Sequence, residues 1–188
     1  QQAMALLKAD GLVEDVGRRG LRVTGLDLTR MRHHYEIRAA LDGLAARTAA
    51  QRAKNDPAVA LEAKKRGEKI LERGRQAVAD GATREQIRHD EDFHNLVYEL
   101  SGNPLLPRTA ESHWRFLRRV MGDVLRHAAP PPTIWQQHAA ILEAIEAGDP
   151  VLAEARATDH IRGAADLLAE AMTGGAAADG AALSETHA

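Results

Sequence analysis

The chain has 188 residues, enough for one full domain and part of another, and its 44% hydrophobic content includes only 3% aromatic residues. That balance, led by alanine, favours closely packed helices over a sandwich or barrel rich in β-branched residues. The absence of cysteine excludes disulfides, thiolate metal sites and cysteine nucleophiles, and a net charge of −2 excludes a uniformly basic nucleic-acid binder while leaving room for a local basic patch. No apolar run approaches the ~20 residues of a membrane span, the opening lacks the pattern of a signal peptide, and a cytoplasmic location without membrane contact is expected.

The chain opens as though inside a helix, with Ala3, Met4, Leu6 and Leu7 ahead of Gly11, so residues upstream of Gln1 are expected. Leu12 to Val16 then pairs with Leu21 to Thr24 across Gly17-Arg18-Arg19-Gly20, a β-hairpin. Two readings of this hairpin stand. It either caps a helical domain with a solvated tip, or it is a DNA-binding wing in which Arg18, Arg19 and Gly20 bring guanidinium groups and bare backbone to phosphates. Residues 1–34 carry six basic and four acidic side chains, so the sign of the charge suits the second reading.

Leu26 to Ala50 forms a long helix by its spacing of Met31, Tyr35, Arg38, Leu41, Leu44, Ala45 and Thr48. Pro57 starts a second helix that runs to Asp80-Gly81, and its many lysines and arginines read as a solvated face. Thr83 with Gln86 has the form of a capping box, opening a helix that Gly102-Asn103-Pro104 stops. Ile87, Asp90, His94, Val97 and Ser101 share one inward stripe of this helix, which puts Asp90 and His94 one turn apart. Pro104 to Ala128 is helical around Trp114, Leu117, Val120, Met121 and Val124, and Pro130 to Pro132 is a stiff connector. Thr133 with Gln136 repeats the capping pattern before a short helix that presents His138, Ile141, Leu142 and Ile145 on one side. Asp149-Pro150 starts the last helix, where His160 shares a face with Ala153, Ala157, Ala164, Leu167 and Leu168; from Thr173 an aperiodic Gly- and Ala-rich tail is expected to be disordered.

Asp90, His94, His138 and His160 therefore sit on the inward sides of three helices, where an unpartnered polar group costs roughly 1–3 kcal/mol. A shared metal removes that cost. Imidazole nitrogens with one carboxylate suit zinc, nickel, copper, iron or manganese and leave coordination positions free. The alternative is three core histidines, each with its own backbone partner. His33, His34 and His89 read as exposed, His127 lies near a helix end, and His187 is in the tail.

Three stretches resemble regulators of the GntR superfamily, in the FadR-like subfamily whose effector domain is called FCD. QQAMALLKADGLVEDVGRRGLRV is similar to the end of a recognition helix followed by a wing, and YEIRAALDGLAARTAA to the first effector-domain helix, with Asp42 in place of the usual Glu. DEDFHNLVYELSGNPLL and HAAILEAIEAGDPVLAEARATDHI are similar to the segments that carry the family's metal ligands. The resemblance implies an all-α antiparallel bundle of about six helices over 26–172, preceded at 1–25 by the C-terminal part of a winged helix-turn-helix domain and followed by a tail at 173–188. It implies that Asp90, His94, His138 and His160 bind a divalent transition metal, zinc or nickel foremost, with manganese or iron as further options. It also implies a homodimer that binds operator DNA and a small carboxylate effector, with Arg38 as the carboxylate partner and Asn103 at the pocket. Arg38 has a second reading as a structural ion pair, and Asn103 as a left-handed helix cap. The expected protein is a regulator, in the first instance a repressor, and not an enzyme. The other functional readings are a metal-dependent enzyme with an activated water on the three histidines and aspartate, and a structural bundle with an incidental metal.

Overall fold

The computed structural model describes residues 4, 8, 13–17, 20–125 and 133–184, with Val23 and 174–184 described by backbone alone. Most of the expected recognition-helix remnant, Arg18, Arg19, His127, the triple proline and His187 lie outside the described residues. Near the N-terminus β1 (Val13–Asp15) pairs antiparallel with β2 (Leu21–Val23), Val13 opposite Val23. The turn between them places Gly17 at φ 65 and Gly20 at φ 89, the left-handed region that glycine reaches without a Cβ clash.

Helices follow: α1 (Leu28–Asn55), α2 (Pro57–Ala79), α3 (Thr83–Leu100), α4 (Leu105–Val124), α5 (Thr133–Glu146) and α6 (Pro150–Ser184). Asp27 caps α1 by accepting from the Arg30 backbone N–H at 3.0 Å, and Asp56 caps α2 through Ala58, ahead of which Pro57 occupies the first turn. No described helix is long and apolar enough to cross a membrane.

The molecule is organised around α1, which contacts all five other helices and runs longest against α6. Its buried side is built from Ala39, Ala45, Ala46, Ala49, Ala50 and Ala53 with Gly43, small residues that let partner backbones approach. A Cβ on Gly43 would stand 2.7 Å from Thr158 Oγ1 of α6. Larger side chains, among them Trp114, Phe93, Leu96, Leu117, Ile141 and Ile145, fill the space around this alanine seam. The low aromatic content is thus concentrated almost wholly in the interior.

Several expectations are corrected. Thr83 is not an N-cap: Ala82 holds that position without a side-chain bond, and Gln86 turns its amide to Ala77 O at 3.1 Å instead of back to the helix start. His89 is buried, 7% exposed, because α3 is covered on more than one side and His89 falls on the stripe of Phe93, Leu96 and Leu100. His34 is half-buried, its Nδ1 2.9 Å from His113 Nδ1 and its ring stacked on Phe116. Asn103 is not left-handed; Gly102 takes φ 72, and Asn103 Oδ1 accepts from the Leu105 backbone N–H at 3.0 Å, starting α4. Finally, α6 continues through Ser184, past the point at which an aperiodic tail was expected; the alanines between its glycines are the strongest helix formers.

Candidate metal centre

Two residues of the centre come from α3, where Asp90 and His94 are one turn apart and project on the same side. His138 comes from α5 and His160 from α6, each inside its helix, so the residues converge only when three helices have docked. His94, His138 and His160 are 3%, 0% and 4% exposed, and the Asp90 side chain is 18% exposed. One ligand atom from each lies within 4.8 Å of every other. His138 Nε2 is 3.0 Å from His160 Nε2 and 3.4 Å from Asp90 Oδ1, and His94 Nε2 is 3.9 Å from the same oxygen.

The partners on the far sides of the rings decide what the near sides can do. Asp42 Oδ1 accepts the His94 Nδ1–H at 2.5 Å, and Gln137 Oε1 accepts that of His160 at 2.8 Å. Both rings are thereby held as tautomers whose Nε2 is a bare lone pair aimed at the centre. His138 has no partner for Nδ1 among the described residues, and it is held by its neighbours' faces: Phe93 stacks on it at 4.4 Å and Trp135 meets it edge-on at 4.9 Å. Four acceptor atoms thus face one another with at most one imidazole proton among them, and His94 Nε2 is buried without a hydrogen bond. A divalent cation satisfies all four. Two atoms that share an ion at about 2.1 Å stand at most ~4.2 Å apart, so most of these separations suit it and the widest needs a small closure. Three imidazole nitrogens and one carboxylate are a donor set that fits a transition metal.

Protonation follows the same logic. Burial, then His94 and Arg38, bring His160 down to about 3, and burial, then His160, His94 and Arg38, hold His138 well below the ordinary imidazole range. Burial raises Asp90, against the pull of His94 and Arg38. Burial would raise Asp42 as well, yet His94, Arg38 and the Tyr98 hydroxyl, which donates to Asp42 Oδ2 at 2.8 Å, bring it down to about 2. Metal binding requires neutral imidazoles and ionised carboxylates, and burial favours the neutral ring at His138 and His160.

A cavity of ≈ 270 Å3 adjoins the centre, reached by Asp90, His94 and His160 and walled by apolar side chains such as Ile87, Met121, Val124 and Leu168. Arg38 lines it too. Its guanidinium, 1% exposed, lies 4.0 Å over the Trp114 ring, with Nε 3.6 Å from Asp42 Oδ2; burial works against its charge, but Asp42 and the neighbouring Tyr98, Tyr35 and Asp90 keep it charged. Neither Nε nor Nη2 has a hydrogen-bond partner among the described residues. Both readings of Arg38 therefore have support: it pairs with Asp42 and it faces the cavity. Asn103 does not line this cavity, and Gly20 is exposed in the hairpin turn, its N–H donating to Gly17 O at 3.0 Å. Sequence reasoning missed Gln137 and Tyr98 as supports, and met Asp42 only as a departure from a motif.

The family model of the FCD domain matches residues 33–163, and the chain belongs to that family. It is similar to the uncharacterized HTH-type transcriptional regulator YdhC of Bacillus subtilis (strain 168), 30% identical over 152 residues that make up 78% of this chain and 63% of the relative. It is also similar to the HTH-type transcriptional repressor RspR of Escherichia coli (strain K12), 25% identical over 162 residues, 86% of this chain and 68% of the relative. The chain therefore spans somewhat under two thirds of the Bacillus relative's length. Among solved structures, E. coli McbR/YncC superposes with a TM-score of 0.74 at 17% identity, covering 90% of this chain and 78% of that one. A GntR family transcriptional regulator from Pseudomonas syringae pv. tomato str. DC3000 superposes at 0.59 and 15% identity, covering 95% and 71%. Both likenesses concern the fold. The relatives are regulators, which agrees with the expectation of a non-enzymatic protein.

Proposed function

We propose that the chain is the sensing part of a DNA-binding transcriptional regulator, a repressor, that responds to a small organic acid bound jointly by a metal and Arg38. The observation that carries this reading is the Arg38 guanidinium, which is buried beside the metal ligands in one cavity and has Nη2 without a partner among the described residues. An acid entering a mostly apolar cavity loses its hydration. Arg38 replaces that shell with charge-assisted hydrogen bonds, and the metal, zinc or nickel in the first instance, supplies a Lewis-acidic position for a carboxylate oxygen. A neutral sugar gains neither.

The division that goes with this reading is DNA-binding remnant at 1–25, effector domain at 26–172 and, at 173–188, a tail into which α6 continues as far as Ser184, in a cytoplasmic homodimer. Arg18, Arg19 and Gly20 are the proposed phosphate contacts of the wing, and Asn103 acts outside the pocket as the start of α4. The link between the two parts is supported by Arg119 of α4, which donates to Thr24 Oγ1 at 3.0 Å and to the Thr24 carbonyl, between the hairpin and α1. Because Met121 and Val124 of the same helix wall the cavity, an acid that favours one placement of α4 shifts the placement of the wing.

Calorimetry on the zinc-loaded chain with short mono- and dicarboxylates tests the sensing half. Binding is expected to require zinc and to weaken by about 1.5–3 kcal/mol in Arg38→Met, with zinc content unchanged. Undiminished affinity in that variant would reduce Arg38 to the ion pair with Asp42 and remove the basis of the reading.

A further inference from the structure

Gln86 stands in the first turn of α3, one turn ahead of Asp90 and two ahead of His94, and it lines the same cavity. Its side chain is fixed: Nε2 donates to Ala77 O at 3.1 Å, and since a carbonyl can only accept, the amide cannot be turned round. Oε1 is therefore the atom left over. It is buried, in a residue only 8% exposed, and has no hydrogen-bond partner among the described residues. Ile87, Met121, Val124 and Leu168, which line the same cavity, carry apolar side chains without a donor. A buried amide oxygen left unpaired costs free energy that a ligand donor recovers.

We infer that Gln86 Oε1 is a second recognition point of the cavity, accepting a hydrogen bond from a neutral donor carried by the effector acid. This rests on the reading of the cavity as a carboxylate site. The helix rise separates Gln86 from Asp90 by about 6 Å along α3, so a carboxylate held at the Asp90 end and a donor at the Gln86 end belong to one short molecule. Its class is a carboxylic acid with a hydroxyl a few bonds away. A second carboxylate is disfavoured, because it would set an anion against an oxygen that can only accept. Gln86 thus selects among acids that the metal and Arg38 would hold alike.

The deciding experiment is calorimetry of the zinc-loaded chain with unbranched ω-hydroxy acids of three to six carbons, each against its parent acid and the dicarboxylate of equal length. The best hydroxy acid is expected to bind roughly five- to tenfold more tightly than its parent, the worth of one neutral hydrogen bond. In Gln86→Met that preference is expected to vanish while affinity for the parent acid and zinc content persist. Equal affinity of hydroxy and parent acids for the wild-type chain overturns the inference even if Gln86→Met does not fold. If that equal binding still depends on zinc and Arg38, the carboxylate reading survives and only the role of Gln86 falls. If no acid binds, both fall together.

Discussion

Asp42 Oδ1 and His94 Nδ1 lie 2.5 Å apart across 52 residues of sequence, and this one bond sets which nitrogen of His94 faces Asp90, His138 and His160 in the candidate metal centre. The same carboxylate takes the Tyr98 hydroxyl and lies beside Arg38, so it joins the ligand set to the cavity cation. Exchanging the carboxylate for an amide would remove the charge and allow a donor to face His94. Asp42→Asn is expected to weaken zinc binding about 10–100-fold in competition with a chelator, the usual cost of losing a carboxylate behind a ligand histidine. Unchanged zinc affinity would mean that ring packing alone orients His94.

Because the four candidate ligands come from α3, α5 and α6, a bound ion would tie together three helices that are otherwise held by side-chain packing. Chelation is expected to lower the melting temperature, and re-addition of zinc to restore it in a concentration-dependent way. His138→Ala should abolish that response by removing the most buried ligand. A melt indifferent to chelation in the wild type would argue for a centre that holds no ion.

The metal-free chain should be acid-sensitive in a defined direction. His160 is brought down to about 3 by burial and its neighbours, and His138 is also held low, whereas both titrate near ~6.5 when unfolded. Below that value the unfolded chain binds the extra protons, so this stability is present in full above about pH 6.5 and is lost as the pH falls towards 3. The urea midpoint of chelated protein is expected to be lower at about pH 5 than at about pH 8. A midpoint that does not move would show that the imidazoles charge freely in the fold.

Two glycines give opposite expectations. A Cβ on Gly74 of α2 would stand 2.1 Å from Trp135 of α5, a buried ring that also borders His138 and has little room to retreat. Gly74→Ala should therefore destabilise the chain by ~1–3 kcal/mol, overcoming the better helix propensity of alanine. Gly163 in α6 has nothing within 4 Å of its would-be Cβ, and Gly163→Ala should stabilise by about 0.5–1 kcal/mol. Chemical denaturation of both variants checks the pair; a stabilised Gly74→Ala would mean that α5 packs less closely on α2.

What the sequence determined on its own was whatever depends on near neighbours along the chain. The pairing of Asp90 with His94 is an i, i+4 relation, and the inward placement of His138 and His160 follows from apolar residues three and four positions away. Glycine and proline likewise marked the ends of α2, α3 and α5 because their backbone limits act locally. The tertiary structure alone decided that Asp42 and Gln137 stand behind His94 and His160, that Phe93 and Trp135 hold His138, and that Gln86 turns to Ala77 rather than closing a capping box. It also decided that His89 is covered, since α3 has neighbours on more sides than one stripe reveals. These are contacts between side chains on different helices, and periodicity says which way a residue points without saying what it will meet there, because that depends on how close the alanine seam of α1 lets the other helices come.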